Sequence, residues 1–351
     1  MALATACSNL PSQTVSKKGK WICAPCGCKH DRHTFKKAGT CPSCGMPLVF
    51  EDDIVDVGIV LFDGVQIIDY TGPYEVFGHA SYRVYTVSES GEPLTTAMGM
   101  RVEPSYGFKN SPQADVLVIP GGNLHDAVDN RRLISWVTTQ AKAAKQVLSV
   151  CNGAFILAKT GLLDHKKATT FHRLLEKFEA TAAKTEVVWD QRFVDNGKII
   201  TTAGLSSGID GALHVVSKLD GHGTAAGVAL HLEYDWRPDE NYARAALADM
   251  YLPRIAAPDG SQIKVVKTEG SRSTWTKEYR LHGKDRDSAA AYFYAQIDKL
   301  KWTPEASSID ASNQRRWTFE DRHGRRWTAQ TLFSNAGDTS NFRIETRLAE
   351  R

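Results

Sequence analysis

Gln146-Val147-Leu148-Ser149-Val150-Cys151-Asn152-Gly153-Ala154-Phe155-Ile156-Leu157-Ala158 decides the fold. It opens as a compact apolar run of strand type, passes one cysteine, and continues with apolar residues at helical spacing. A thiol between a buried strand and the first turn of a helix stands where a thiolate is stabilised. The unpaired first-turn N–H groups and the helix dipole both favour negative charge there. Gly153 has no Cβ, which eases the sharp turn from strand to helix. Cys151 therefore reads as a reactive centre; the alternative is a buried cysteine that fills a small space.

Working outward, the pattern repeats. Val55–Phe62 reads as a strand, and Pro73 suits the first turn of a helix running to about His79. Tyr82–Ser88 is a strand, and Gly91–Phe108 a strand pair or loop. Ala114–Pro120 is a buried strand ending at Gly121-Gly122, with a long amphipathic helix over about Leu124–Lys145. Past Cys151, Lys166–His172 leads from strand to helix. Asp195-Asn196-Gly197 turns between Val187–Val194 and Lys198–Thr202. Ala203–Asp210 opens an apolar helix to about Leu219, and helices follow over about Thr224–Leu232 and in a more polar stretch to Leu252. Apolar strands alternating with helices argue for an α/β domain over residues 54–252, a parallel sheet sandwiched by helices. Ligands in such sheets bind beyond the carboxyl ends of the strands. Gly121, Cys151 and Gly204 each follow closely on a strand-like run, which brings them to one edge.

The chain has 351 residues, 42% hydrophobic and 24% charged with a net charge of +3, an ordinary soluble composition that gives charge no argument for nucleic acid. No apolar run approaches the roughly 20 residues that span a bilayer. Five of the seven cysteines fall between Cys23 and Cys44, beside Cys7 and Cys151. That clustering describes a metal site and a separate thiol rather than a spread disulfide framework. Cys23-Ala24-Pro25-Cys26 and Cys41-Pro42-Ser43-Cys44 are two knuckles whose four thiolates complete a tetrahedral, structural zinc site in a zinc-ribbon-like module over residues 21–50. Cys28, His30 and His33 are surplus ligand types that swap in, bind a second ion or stay solvated. Disulfides between the pairs are the alternative. Residues 1–20 read as a disordered N-terminus and linker. Leu3-Ala4-Thr5-Ala6-Cys7 resembles the end of a bacterial lipoprotein signal, but no charged start or apolar stretch precedes it. The default expectation is a cytoplasmic protein; the alternative is a periplasmic lipoprotein whose signal is truncated.

Beyond Pro253–Gly260 the composition changes. Alternating segments and one helix at about Asp287–Leu300 describe a small α+β domain over residues 261–351. Arg315, Arg316, Arg322, Arg325 and Arg326, with Trp317 and Trp327 among them, admit a nucleic-acid reading. The packed and solvated faces of a hairpin are the favoured one.

Several motifs occur together and in order: Asp69-Tyr70-Thr71-Gly72-Pro73 with Glu75-Val76-Phe77, Val118-Ile119-Pro120-Gly121-Gly122, Ser149-Val150-Cys151-Asn152-Gly153, and Gly204 through Gly208-Ile209-Asp210. Over about residues 54–235 the set resembles the ThiJ/PfpI family, within the class I glutamine-amidotransferase-like superfamily, and most closely its isocyanide hydratases and the sensor domains of related transcription regulators. The resemblance implies a flavodoxin-like fold with a nucleophile elbow at Cys151, and backbone N–H groups around Gly121-Gly122 and after Cys151 that meet a developing anion. It implies a proton-handling role for Asp69, whose alternative is helix capping, and a counterpart acid at Asp210, whose alternative is a first-turn aspartate favouring the helix dipole. It also implies a homodimer. Two departures stand out. The hydratases carry threonine after the cysteine and the protease-like members histidine, whereas this chain has Asn152, which either orients substrate or an oxyanion or lies in a surface loop. His172 lies near where relatives carry a histidine, displaced by one position, and takes no role. Peptidase activity is thereby disfavoured.

Two functions follow. One is an enzyme in which the Cys151 thiolate attacks an electrophilic carbon of a small molecule, an isocyanide, nitrile-like or carbonyl compound, with no cofactor for catalysis. The other is a non-catalytic ligand-binding or redox-sensing protein, with the zinc and C-terminal modules contacting a protein partner.

Overall fold

The computed structural model describes residues 20–24, 26–31, 33–253, 255–283, 285–305, 314–336 and 341–351. The Leu3-to-Cys7 stretch lies outside the described residues. From Trp21 on, a short chain folds back three times: β1 (Trp21–Cys23), β2 (Thr34–Phe35) and β3 (Leu48–Phe50) form an antiparallel sheet in the order β2-β1-β3. Its buried centre is Cys23, Cys41 and Leu48. Three side chains are too few for a core that stands alone, so the cysteines must supply the rest.

Next come β4 (Asp56–Val60), α1 (Ile67–His79), β5 (Arg83–Ser88), β6 (Leu94–Thr95), β7 (Arg101–Val102), β8 (Tyr106–Gly107), β9 (Val116–Ile119), α2 (Arg131–Ala143), β10 (Gln146–Ser149) and α3 (Gly153–Lys159). They are followed by β11 (Lys167–Ala168), α4 (Leu175–Thr181), β12 (Glu186–Val187), β13 (Phe193–Asp195), β14 (Ile199–Thr202), α5 (Ser207–Asp220) and α6 (His222–His231). A seven-stranded sheet runs β13-β14-β10-β9-β4-β5-β8, and β8, β5, β4, β9 and β10 pair in parallel. Every residue of β9 and β10 is buried, as parallel strands covered on both faces require. Each fully buried Val, Leu or Ile contributes about 1.5–3 kcal/mol. From β4 the chain builds outward through β5 and β8, then returns to the other side with β9. The switch point therefore lies between β4 and β9, where a flavodoxin-like sheet opens its ligand crevice.

Four boundaries depart from the sequence expectation. Helix α1 starts at Ile67, so Pro73 lies inside it rather than in its first turn. The helix expected from Leu124 starts at Arg131, because the Asn130 side chain caps it by accepting from the Arg132 and Leu133 N–H groups. The strand expected over Val187–Val194 splits into β12 and β13, and β12 pairs in parallel with β11. The polar helix expected up to Leu252 is two short 3-10 turns, Arg244–Ala246 and Ala248–Tyr251, bridged by an Arg244–Asp249 ion pair of 2.5 Å.

The C-terminal segment holds β15 (Gln262–Gly270), β16 (Thr274–His282), α7 (Arg286–Asp298), β17 (Thr303–Pro304), β18 (Gln314–Glu320), β19 (Arg326–Asn335) and β20 (Asn341–Glu350). The sheet is antiparallel in the order β15-β16-β20-β19-β18-β17. Alternation along the strands, strict in β20, sends Trp275, Tyr279, Trp317, Trp327, Phe333 and Phe342 into one core with Phe293 and Ile297 of α7. Trp317 and Trp327 are thus packing residues. Of the arginines beside them, Arg315 covers Tyr294, Arg322 covers Trp189, and Arg325 pairs with Asp321.

Two compact units result. One runs to Leu162 and takes in Gly197–Ile200 and Gly208–Trp236; the other holds Leu163–Asn196, Thr201–Ser207 and Arg237–Arg351. This division groups residues 163–196 with the C-terminal sheet, across the boundary read from composition. Among the described residues no helix is long and apolar enough to cross a membrane.

Candidate active site

The parallel pairing of β9 and β10 sets Ser149 beside Ile119, so Pro120-Gly121-Gly122 and Val150-Cys151-Asn152 leave the sheet side by side. The Val150 N–H still donates to the Ile119 carbonyl at 2.9 Å. One residue later the ladder stops. Cys151 takes a left-handed backbone, φ +57°, which a residue with a Cβ adopts at a cost of about 1–3 kcal/mol. The Gly153 N–H closes the turn onto the Val150 carbonyl at 2.9 Å, and α3 begins. A Cβ on Gly153 would lie 2.2 Å from the Ile119 carbonyl oxygen, so only glycine fits this crossing. The surrounding contacts hold the strained cysteine in place, buried at 7% exposure. This is the elbow expected from the sequence.

Asp69, in the first turn of α1, is fully buried. Its Oδ2 accepts from the Gly121 N–H at 3.1 Å. Gln66, which precedes α1, donates its N–H to the Gly121 carbonyl at 2.8 Å. The loop after β9 is therefore bound on both sides of Gly121 to the start of α1. Pro73 has no N–H to offer the carbonyl of Asp69, four residues back. A Cβ on Gly121 would lie 2.1 Å from Asn152 Oδ1 and 2.9 Å from Asp69 Oδ2. Gly121 is a spacer one atom thick between the carboxylate and the residue after the cysteine.

Asn152 neither faces a surface loop nor turns its amide toward a substrate. Its Oδ1 accepts from the Gly122 N–H at 2.7 Å and its Nδ2 donates to the Gly122 carbonyl at 2.8 Å. The sequence reading assigned the Gly121 and Gly122 N–H groups to a developing anion. In the structure the first has Asp69 as acceptor and the second has Asn152. The two glycines thus lie at the site, but their N–H groups serve to fasten it.

Asp210 lies in the first turn of α5, 6% exposed, and accepts from the Tyr234 hydroxyl at 3.1 Å. No motif or spacing pointed to Tyr234 as its partner. Its helix is tied to the elbow through its neighbours: a Cβ on Gly208 would meet Val150 Cγ1 at 2.7 Å, and one on Gly72 would meet Ile209 Cγ1 at 2.9 Å. The Gly-Ile-Asp segment thus packs on both the elbow and α1. His172 lies in a short 3-10 turn with its ring against Phe171.

The second cluster is the cysteine module. Cys23 Sγ lies 3.8 Å from Cys26, 3.8 Å from Cys28 and 3.6 Å from Cys44. Cys26 and Cys44 are 3.7 Å apart and Cys28 and Cys41 3.9 Å. These are contact distances, well beyond an S–S bond of about 2.05 Å, and none of the six described cysteines forms a disulfide. Four sulfurs on a zinc ion at about 2.3 Å would be spaced by about 3.8 Å, so the donor set fits. Burial pushes the Cys23 thiol up, and its sulfur neighbours add to this. Burial also raises Cys41, but the Cys44 and Ser43 N–H groups and the His30 ring outweigh it and draw that thiol down to about 6. Crowded thiols of this kind ionise together only around a cation. Four close cysteines, Cys23, Cys28, Cys41 and Cys44, can hold a metal ion. Cys28 thus enters the set as a main member, where the spacing had made it a substitute. His30 Nδ1 is 3.8 Å from Cys41 Sγ, whereas His33 packs its exposed ring on Phe35.

Comparison with known proteins identifies the family. The DJ-1/PfpI family profile matches residues 55–218. The isonitrile hydratase of Pseudomonas putida is 35% identical over 185 residues, 51% of this chain and 78% of that protein. The HTH-type transcriptional regulator GbdR of Pseudomonas aeruginosa strain UCBPP-PA14 is 22% identical over 55% of each chain. The crystal structure of a ThiJ/PfpI family protein from Pseudomonas syringae shares 28% identity over 53% of this chain and 77% of that one, with a TM-score of 0.49. The chain belongs to the DJ-1/PfpI family.

Proposed function

We propose that the chain is a cysteine-dependent hydratase acting on a small molecule with an electrophilic carbon, and that an isocyanide is its substrate class. The observation that carries this is the strained Cys151 elbow with the buried Asp69 one glycine away. The 35% identity to a protein named isonitrile hydratase supports the substrate class. In this scheme the Cys151 sulfur bonds to the isocyanide carbon, and that carbon takes a proton that Asp69 relays from the thiol. The product is a thioimidate. Water then adds to the same carbon, the nitrogen takes a proton, and the C–S bond breaks to return the thiol. The sum is isocyanide plus water to N-substituted formamide, with no electron transfer. Asn152 acts by fastening Gly122, and so fixes the loop that holds Asp69. Zinc on the cysteine module is proposed as structural, because four protein sulfurs leave no open position. The homodimer implied by the family is part of the proposal; light scattering that shows a monomer removes that part.

The test is formamide production from a panel of aliphatic and aromatic isocyanides, with mass spectrometry of the protein. Wild type is expected to turn over at least one of them, and Cys151→Ala to fall by 10³-fold or more, about 4 kcal/mol of barrier. Undiminished turnover in Cys151→Ala would sink the proposal. One observation favours a second reading. The Gly121 and Gly122 N–H groups are already engaged, which takes up two of the donors an acyl-type anion would use. A ligand-binding or redox-sensing role suits such a site. It predicts no turnover of any isocyanide, with Cys151 oxidised to a sulfenic or sulfinic acid by mild peroxide.

A further inference from the structure

We propose that the cysteine module holds its metal with three fixed ligands, Cys23, Cys41 and Cys44, and one exchangeable ligand that is either Cys26 or Cys28. This rests on the zinc reading above. Zinc takes four ligands, and the module brings together five thiols. The two candidates for the fourth place approach the fixed three from different sides. Cys26 is 3.8 Å from Cys23 and 3.7 Å from Cys44; Cys28 is 3.8 Å from Cys23 and 3.9 Å from Cys41. Each candidate thus makes two of the three sulfur contacts that a ligand in a tetrahedral site makes. Cys28 falls in both groups of close ligand atoms, Cys23, Cys28, Cys41 and Cys44 in one, and Cys23, Cys26 and Cys28 with Asp31 in the other, so Cys26 adjoins the first group on the Asp31 side.

The neighbours of the two sulfurs differ, and this gives each a place when it is not the ligand. The His30 N–H donates to Cys28 Sγ at 3.3 Å. Cys26 is exposed, with its sulfur 3.4 Å from Asp31 Oδ1. Asp31 in turn accepts from the Cys26 N–H at 3.0 Å and the Gly27 N–H at 2.8 Å, so the carboxylate is fixed in front of that thiol. The Cys26 thiol donates to Asp31 while Cys28 is the ligand. In the exchange Cys26 gives its proton to Asp31 and its sulfur takes the fourth place. Cys28 leaves with its electron pair and accepts that proton. One metal–sulfur bond forms as one breaks, the charge is unchanged and no oxidant or reductant takes part. A spare thiol at contact distance lets the fourth metal–sulfur bond exchange, so removing it should slow release of the metal.

The experiment measures zinc per full-length chain after zinc reconstitution and gel filtration, and then the rate of zinc release to a chromophoric chelator. Wild type is expected to carry about one zinc. Cys26→Ser and Cys28→Ser should each keep it, and the double variant should lose it, as should Cys41→Ser. Release should be several-fold slower in either single variant than in wild type. An unchanged thermal transition of the α/β region shows that the double variant is otherwise folded. Loss of zinc from either single variant overturns the exchange, since it fixes the fourth ligand. Retention by the double variant, or equal release rates throughout, overturns it too. A zinc-free wild type instead brings down the zinc reading itself, and the two failures are distinct.

Discussion

Asn152 commits both halves of its amide to one residue, Gly122, and so stiffens the loop from which Gly121 reaches Asp69. In the proposed reaction Asn152 then serves the scaffold and Asp69 the proton transfer. Asp69→Asn separates its two tasks. The amide keeps the shape of the carboxylate and an oxygen to accept from the Gly121 N–H, so the fold should hold to within about 1 kcal/mol. It cannot relay a proton, so isocyanide turnover should fall by about 10²–10⁴-fold. Thermal unfolding beside initial rates reads both. A variant as fast as wild type at unchanged stability removes Asp69 from the chemistry. The Asn152 clamp could not be read from the sequence, because it joins positions 30 residues apart and an asparagine's partners are set by where the chain returns.

The strand–elbow–helix of β10 and α3 was legible because its parts are local. A run of Val and Leu specifies a buried parallel strand, and glycine two residues past the cysteine specifies the crossing. The structure gives that glycine its reason: a Cβ at Gly153 would lie 2.2 Å from the Ile119 oxygen and 2.7 Å from that of Pro120, both backbone atoms. Gly153→Ala must therefore push β9 aside and should cost about 3 kcal/mol or more. Gly227 in α6 is the control. It is exposed, a Cβ there would meet nothing within 4 Å, and its backbone is helical. Gly227→Ala should raise stability by about 0.8–1 kcal/mol through helix propensity alone. Urea midpoints of the two variants should move in opposite directions; equal midpoints would mean that the elbow accepts a side chain. Helix starts were less legible than this turn. Pro73 suggests a first turn, yet α1 has already begun at Ile67, and the Asn130 cap outcompetes the apolar spacing that runs back to Leu124. Residues 244–251 have a helical composition but close as separate turns around the Arg244–Asp249 pair.

Across the whole molecule, the parallel sheet and the metal module announce themselves by pattern, while residues 261–351 announce only an architecture. Their alternation places tryptophans inside and leaves an outer face of paired charges, such as Glu278 with Arg343 at 2.8 Å, which carries no chemistry a sequence could show. What that part of the chain does carry is an acid-sensitive joint. Asp321 lies at the turn between β18 and β19. It accepts from Tyr251 Oη at 2.8 Å, Trp327 Nε1 at 3.0 Å and Arg325 Nε at 2.8 Å, and from the His323 and Arg325 N–H groups. Burial alone would raise its carboxyl. The Arg325 N–H, the Trp327 indole, the Tyr251 hydroxyl and the His323 N–H outweigh that and hold it well below the usual carboxylate range. With the folded value depressed, the stabilisation is complete above the unfolded value of about 3.9 and fades as pH falls toward the folded one. Asp321→Asn loses the charge-assisted bonds, on the order of 2 kcal/mol at neutral pH. Urea unfolding followed by tryptophan fluorescence should therefore show wild type ahead of Asp321→Asn by a constant margin from pH 7 to about 5, closing below about pH 4. A margin that stays constant down to pH 3 would show that the carboxylate is not what ties Tyr251, Arg325 and Trp327 together. The joint would then be one of packing.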